Sequence, residues 1–404
     1  MNTLLKPFYA VIPLSLEELF AEELKKLGIE KFRVQKGGCW FGAEMNQMMK
    51  VNLWTRYASR ILLKLSESPY RSEDDIYRQV KAIKWEQYFK SRNSIKVEVS
   101  ARHSPLRSLN FATLRVKDAV CDYFTDQDGE RPDVDKHNPD IQIYVHLNEK
   151  SCIVYLDTSG ESLFKRGWRE AKGEAPLKEN LAAGLLGLAG WEPSIALQDP
   201  FCGSGTILIE AATIAANIAP GINRRFGFEK FVGFDSNAWQ QMKKEARMAV
   251  NWDADVNISG SDISTLIVDR AGKNAELAGL GRWLSEGKLR FSACDAREVL
   301  PSSETPGLIV ANPPYGEQSN PKSASVASMM KDVADNLKHH FSGWTVWMLT
   351  SDRMLPRQMR LSESRKIVFF NGPLECRFFR FNMTAGSNRR KEDTKTQDSV
   401  NKSE

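Results

Sequence analysis

Two short segments of this 404-residue chain combine residue types that can do chemistry. The first is Asp199-Pro-Phe-Cys-Gly-Ser-Gly-Thr206, set between an apolar run of strand length and an apolar run of helix length. Gly203 and Gly205 permit a sharp turn and let a ligand approach the backbone closely. A helix beginning near Thr206 would offer unpaired N–H groups to that ligand. Asp199, Phe201 and Cys202 complete the loop. No Lys-Ser/Thr pair follows, so it is not a Walker-type phosphate loop. The spacing is not GxGxxG either, which argues against a dinucleotide. The second segment is Asn312-Pro-Pro-Tyr315, directly after the apolar Ile309-Val-Ala. Its prolines stiffen the backbone and remove two N–H donors. The Asn312 side-chain oxygen and the Pro313 carbonyl can then accept both hydrogens of an –NH₂ group, and Tyr315 offers a flat face to a base. Holding both hydrogens pyramidalises the nitrogen and points its lone pair at an incoming electrophile.

Acidic residues at the ends of strand-like runs extend the first site. Asp235 in Val-Gly-Phe-Asp-Ser and Asp262 in Ile-Ser-Gly-Ser-Asp-Ile are both placed to accept ribose hydroxyls. Asp295, followed by Ala296, closes the next run and suits an exocyclic amine. Each acid could instead cap a helix.

These loops need a scaffold of alternating strands and helices. Strands are expected at 195–199, 257–260, 289–293, 308–311 and 344–350, and helices at 181–188, 206–219, 238–250, 265–279 and 325–340. That alternation predicts a parallel, doubly wound α/β sheet, closed by an antiparallel pair at 366–370 and 376–382. The first part of the chain reads as α+β. It has a strand at 8–12, a helix opened by a Ser15/Glu18 capping box and stopped at Gly28, and a hairpin over 32–44. Helical pieces follow across 46–90, then a strand at 95–99, a helix at 114–124 and a hairpin over 141–157. Residues 158–176 read as a connector, and the polar 385–404 as a disordered tail.

Composition limits the remaining classes. No run approaches the roughly 18–20 apolar residues of a membrane span, and the first ten residues lack signal-peptide order, so a cytoplasmic protein is expected. Six scattered cysteines without CxxC, and five histidines without ligand spacing, argue against disulfides and metal. The net charge of +5 is uneven along the chain. Residues 51–117 hold 14 Lys/Arg and 6 Asp/Glu, a net of +8, whereas 118–164 hold 3 and 11, a net of −8. The first stretch is a candidate polyanion surface.

The glycine loop followed by Asn-Pro-Pro-Tyr resembles class I S-adenosylmethionine-dependent methyltransferases that act on amines. The stretches 114–124, 156–169 (Leu-Asp-Thr-Ser-Gly-Glu-Ser-Leu-Phe-Lys-Arg-Gly-Trp-Arg) and 175–182 extend the likeness to the THUMP-containing RNA methyltransferases. Among these the chain resembles the guanine-N2 half of the bacterial 23S rRNA methyltransferase L family, over about residues 5–382. The resemblance implies a Rossmann-like methyltransferase domain at 177–384, a ferredoxin-like part at 1–44 and a THUMP RNA-binding domain at 45–157. It also implies S-adenosylmethionine as cofactor, and 23S rRNA as partner through the basic 51–117. The cofactor would be held by Asp199, Phe201, Cys202, Gly203, Gly205, Thr206, Asp262, Asp295 and Ala296. Catalysis would fall to Asn312, Pro313 and Tyr315. It selects Asp262 over Asp235 for the ribose, because 221–256 matches a family insertion whose Arg224, Arg225 and Phe226 are expected to touch RNA. The bifunctional members' second domain, which makes 7-methylguanine, is not expected here. Alternatives are a tRNA guanine-N2 enzyme, a DNA adenine-N6 or protein glutamine-N5 methyltransferase, and a non-catalytic RNA-binding assembly factor.

Overall fold

The computed structural model describes residues 5–169, 177–314, 323–372 and 374–384. In chain order the elements are β1 (Lys6–Val11), α1 (Glu17–Lys26), β2 (Phe32–Gln35), β3 (Gly38–Ala43), α2 (Met45–Trp54), β4 (Arg60–Pro69), α3 (Glu73–Lys81), β5 (Ile95–Ala101), α4 (Leu109–Asp128), β6 (Ile141–Leu147) and β7 (Ser151–Asp157). Then come α5 (Glu179–Ala189), β8 (Leu197–Asp199), α6 (Thr206–Ala215), α7 (Ser236–Met248), β9 (Ile258–Asp262), α8 (Thr265–Leu277), α9 (Gly281–Ser285), β10 (Leu289–Ala293), β11 (Leu308–Ala311), α10 (Ser323–His340), β12 (Thr345–Thr350), α11 (Leu355–Met359), β13 (Arg365–Asn371) and β14 (Leu374–Asn382). They form two compact units. One draws on Met1–Gly184 and Ala216–Asn251, the other on Leu185–Ala215 and Trp252–Glu404. No described helix is long and apolar enough to cross a membrane.

The first unit holds a seven-stranded sheet in the order β2-β3-β1-β4-β7-β6-β5. Alternation along each strand gives one face Phe8, Ala10, Phe41, Ile61, Leu63, Ile143 and Val145, all buried. Helices α1 to α4 bring Phe20, Leu24, Met48, Ile76, Val80, Val116 and Val120 to the same core. Strand β4 corrects the helical expectation for 46–90. It pairs with β1 on one side and β7 on the other, so one strand carries the sheet across its middle. Its Ile61-Leu62-Leu63 run is buried on both faces, and its register shifts between Lys64 and Ser66, which erases the period-two signal. The capping box expected at Ser15 and Glu18 is also absent. Ser15 sits at φ 76°, Leu16 is the N-cap, and Glu17 Oε1 accepts the Gly37 N–H at 2.8 Å across the β2–β3 turn.

The segment 216–251 belongs to this unit as well. Phe226 and Phe228 stack at 5.1 Å and both meet the buried Trp239 edge-on. The Arg224 guanidinium donates to the carbonyls of Ser159, Glu161, Ser162 and Lys165, and burial pushes its pKa down to about 10. The expected RNA contacts of Arg224 and Phe226 are thereby corrected: the arginine fastens the connector and the phenylalanine is core, at 4 % exposure.

The second unit holds the expected Rossmann-like sheet, in the order β10-β9-β8-β11-β12-β14-β13. The first five strands are parallel; β14 alone is reversed, pairing antiparallel with β12 on one side and with β13 on the other. Its core includes Ile309, Ala311, Val333, Leu337, Val346, Met348, Phe379 and Phe381.

Candidate active site

Strand order in the second unit reverses between β8 and β11: the chain builds outward through β9 and β10, then returns to β8's other side. Ligands of open α/β sheets bind at such a point, outside the carboxyl ends of the strands. Asp199 ends β8, Asp262 ends β9, Asp295 and Ala296 follow β10, and Asn312 and Pro313 follow β11. Four adjacent strands thus deliver both motifs to one end of one sheet. Tyr315 lies outside the described residues.

The glycine loop is fixed from several sides. Gly203 and Gly205 adopt φ 53° and 83°, a region costly for side-chain-bearing residues. Cys202 N–H donates to Ser261 O at 2.9 Å, tying the loop to β9, and Gly205 N–H donates to Cys202 O at 2.9 Å. From α8, Asn274 Nδ2 donates to Ser204 O at 3.0 Å. Gly260 in β9 makes room: a Cβ there would lie 2.3 Å from Leu208 Cδ1 and 2.8 Å from Cys202 Cβ. Helix α6 starts at Thr206 immediately beyond, with its N-terminal end toward the site.

The three acids of the site are differently placed. Asp199 is 1 % exposed, and its Oδ1 accepts the Phe201 N–H at 2.9 Å. Burial pushes its carboxyl up to about 8; the Phe201 N–H opposes this and the Asp262 carboxylate adds repulsion. Among the described residues no basic side chain offsets that rise. Burial likewise drives the Cys202 thiol up, so it is no nucleophile at neutral pH. Asp262 is half-buried and accepts the Ser264 N–H at 3.0 Å. Asp295 accepts Nε and Nη2 of Arg297 at 3.0 and 2.6 Å, and this arginine holds its carboxyl below the usual range. Asn312 is half-buried between buried Ala311 and buried Pro313. Asp235 stands apart: it caps α7 in the first unit through the N–H groups of Asn237 and Ala238.

Three further residues belong to the site's construction. Gly260 could have been read from sequence, since a glycine inside a strand signals close backbone approach. Asn274 gave no signal among the polar residues of an amphipathic helix. Ile263, next to Asp262, is 72 % exposed and offers an apolar face at the β9 end; it lies between the expected strand and the expected helix, where no periodicity marks it.

A ferredoxin-like domain described for RlmL matches residues 7–62 and a THUMP domain matches 70–157. The RMKL-like methyltransferase domain matches residues 166–380, more than half of the chain. The chain belongs to the RMKL-like methyltransferase family. Its cofactor class is S-adenosylmethionine. Among curated relatives, "Ribosomal RNA large subunit methyltransferase K/L" of Psychromonas ingrahamii is 39 % identical over 367 residues, covering 89 % of this chain and 48 % of the relative. The protein of that name from Shewanella baltica is 36 % identical over 388 residues, covering 95 % and 54 %. The chain therefore spans about half the length of the curated relatives it matches. Among solved structures, SMU.472 in complex with SAH superposes with a TM-score of 0.84 at 28 % identity, over 95 % of this chain and all of that one. A Clostridium difficile 630 protein gives 0.84 at 29 %, with the same coverage.

The residues present fit the family's cofactor. It is cationic, and the site buries the Asp199 carboxylate and half-buries that of Asp262, neither ion-paired with a base among the described residues. The exposed Ile263 beside Asp262 supplies an apolar surface next to a hydroxyl acceptor, as a nucleoside needs.

Proposed function

We propose that the chain methylates the exocyclic N2 amine of a guanine in 23S rRNA. The observation that carries this reading is the delivery of the glycine loop, the strand-end acids and Asn312-Pro313 to one end of the sheet by four neighbouring strands. The names of the curated relatives support the RNA class. S-adenosylmethionine, when bound, supplies an electrophilic methyl group. Asp262 accepts the ribose hydroxyls and Ile263 packs on the adenine. Asp295, with Ala296 behind it, accepts the adenine amine. The backbone of Phe201, Cys202, Gly203 and Gly205, with Thr206 at the α6 N-terminus, lines the remainder, and Asp199 balances the positive charge.

On the substrate side, the Asn312 Oδ1 and the Pro313 carbonyl accept the two N2 hydrogens. The guanine amine is a poor nucleophile because its lone pair delocalises into the ring. Fixing both hydrogens localises that lone pair toward the methyl group, so rate comes from positioning and electrostatics. The proton leaves to solvent after transfer. A paired guanine must first be extruded, and Tyr315 stacks on it. The ferredoxin-like and THUMP parts, with the basic 51–117, hold the RNA, and the cytoplasm is the place of action.

Asn312→Ala tests the grip. Turnover on rRNA should fall by about 10²–10³-fold while calorimetric cofactor affinity stays at the wild-type value. Near-wild-type turnover rules the grip out. Mass-spectrometric nucleoside mapping of rRNA and tRNA from a deletion strain tests the substrate. Loss of one N2-methylguanine from 23S rRNA is expected. A lost tRNA mark with unchanged rRNA overturns the rRNA assignment, and methyl transfer to DNA or protein alone overturns the RNA class.

A further inference from the structure

The first unit's sheet has a second face, and no described helix covers it. Cross-strand neighbours place one row of side chains there: Arg33 opposite Trp40, Trp40 opposite Tyr9, and Tyr9 opposite Leu62. A second row runs Lys64, Tyr155, Tyr144 and Glu98. Residues paired across strands share a face, so four aromatic rings gather on one surface. Tyr9 and Trp40 lie 4.8 Å apart, and each is 6.1 Å from Tyr155. Leu62 and Tyr155 form a buried floor, at 5 % and 4 % exposure, under half-buried Tyr9, Trp40 and Tyr144. Above it lies a hollow of about 960 Å³ lined by strand residues and the β6–β7 turn. That is at the upper end of the ~300–1,000 Å³ typical of ligand sites.

The charges around this floor are differently committed. Arg60 packs 5.1 Å from the Tyr144 ring and is neutralised by the buried Asp157 carboxylate at 2.5 Å. Lys64 sits 5.4 Å from the Trp40 ring centre and reaches Glu67 at 2.5 Å, on a pair open to solvent. Arg33 is exposed, next to Trp40, and forms no ion pair with the described residues. Aromatic floors edged by available cations are what unpaired nucleic acid needs. Bases stack on the rings and the backbone phosphate meets the cation, whereas duplex bases stay enclosed in their own stack. The central strand β4 also lies within the basic 51–117 stretch.

We propose that this open sheet face is a stacking platform for unpaired RNA bases, centred on Trp40 and Tyr9 with Arg33 taking a phosphate. The proposal rests on the RNA-substrate reading above, and it adds a surface distant in sequence from both catalytic motifs. It gives the enzyme a preference for RNA that carries single-stranded bases.

Fluorescence anisotropy on the full chain tests it, with a labelled short oligouridylate and a labelled hairpin duplex as probes. Trp40→Ala should weaken oligouridylate binding by about tenfold, with Trp40→Phe keeping most of the affinity. Arg33→Glu, on an exposed side chain, should weaken it too and lower the salt slope by about one ion. Thermal melts establish that each variant is folded. Wild-type oligouridylate affinity in both Trp40→Ala and Arg33→Glu overturns the proposal, as does duplex binding that is tighter and indifferent to Trp40. Failure of the methylation reading shows separately, as absent methyl transfer with Trp40-dependent oligouridylate binding intact.

Discussion

Asp199→Asn separates the two effects of burying a carboxylate beside another. The folded-state pKa of Asp199 is about 8 against an ordinary 3.8. Between these values the unfolded chain is ionised and the folded chain protonated, so stability falls as pH rises through the window and levels off above it. At about 1.4 kcal/mol per unit, the full window is worth on the order of 5 kcal/mol. From about pH 6 to about pH 8 it is ~2–3 kcal/mol. The asparagine amide is isosteric and its oxygen can keep the Phe201 N–H bond, so the variant should lack this fall. Glu23 and Asp157 in the first unit are also pushed up by burial, to about 7 and about 6. Their contributions appear in both proteins, and the difference between urea melts isolates Asp199. A cationic ligand favours the ionised form. S-adenosylmethionine affinity in the wild type should therefore rise with pH toward about 8, and calorimetry in buffers of different ionisation enthalpy should show proton release. The Asp199→Asn variant should bind about tenfold more weakly with no such release. S-adenosylhomocysteine, which lacks the sulfonium, should respond less. A variant that keeps both the wild-type pH slope of stability and the wild-type affinity would refute the charge argument.

Gly260→Ala should cost ~1–3 kcal/mol by overpacking and weaken cofactor binding, since its Cβ would drive Leu208 and Cys202 against the glycine loop; urea unfolding and calorimetry read the two effects. Asp262→Asn, which can still accept the Ser264 N–H, should weaken cofactor binding by roughly tenfold, as for a lost charge-assisted hydrogen bond, and leave the melting temperature nearly unchanged; an unaltered affinity removes Asp262 from the site. Arg224→Gln should destabilise the first unit by ~2–3 kcal/mol through carbonyls left unpaired, while the salt dependence of RNA binding stays at the wild-type slope. A shallower slope with unchanged stability would return Arg224 to the RNA surface.

The second unit was readable from sequence because its inner strands β8, β11 and β12 are buried on both faces and its helices keep a regular period. Its loops also carry residues that bulk structure does not require, such as Gly203, Gly205 and two adjacent prolines. The first unit was harder. Strand β4 hides behind a register shift and a three-residue apolar run that suits a helix equally well. Ser15 and Glu18 show a capping pattern without its backbone, because the chain at Ser15 turns through positive φ to bring Leu16 into the core. Arg224 and Phe226 looked like an exposed basic-aromatic pair; only tertiary packing gives one four carbonyls and the other a ring stack. The paired-strand geometry that gathers Tyr9, Trp40, Tyr144 and Tyr155 links residues more than a hundred positions apart, beyond the reach of any local pattern.

The path of the chain between the units bears on the order of synthesis. The polypeptide leaves the first unit at Gly184, makes β8 and α6, re-enters the first unit for residues 216–251, and only then returns to finish the second. Emerging from the ribosome N-terminus first, the chain has made the methyltransferase's first strand before the carbonyls of Ser159 to Lys165 receive Arg224, or Trp239 fills its place beside Phe226 and Phe228. Neither unit can be completed while the other has yet to begin. A nascent chain released near residue 177 would leave the connector's carbonyls without their guanidinium, so the two units are products of one interleaved translation.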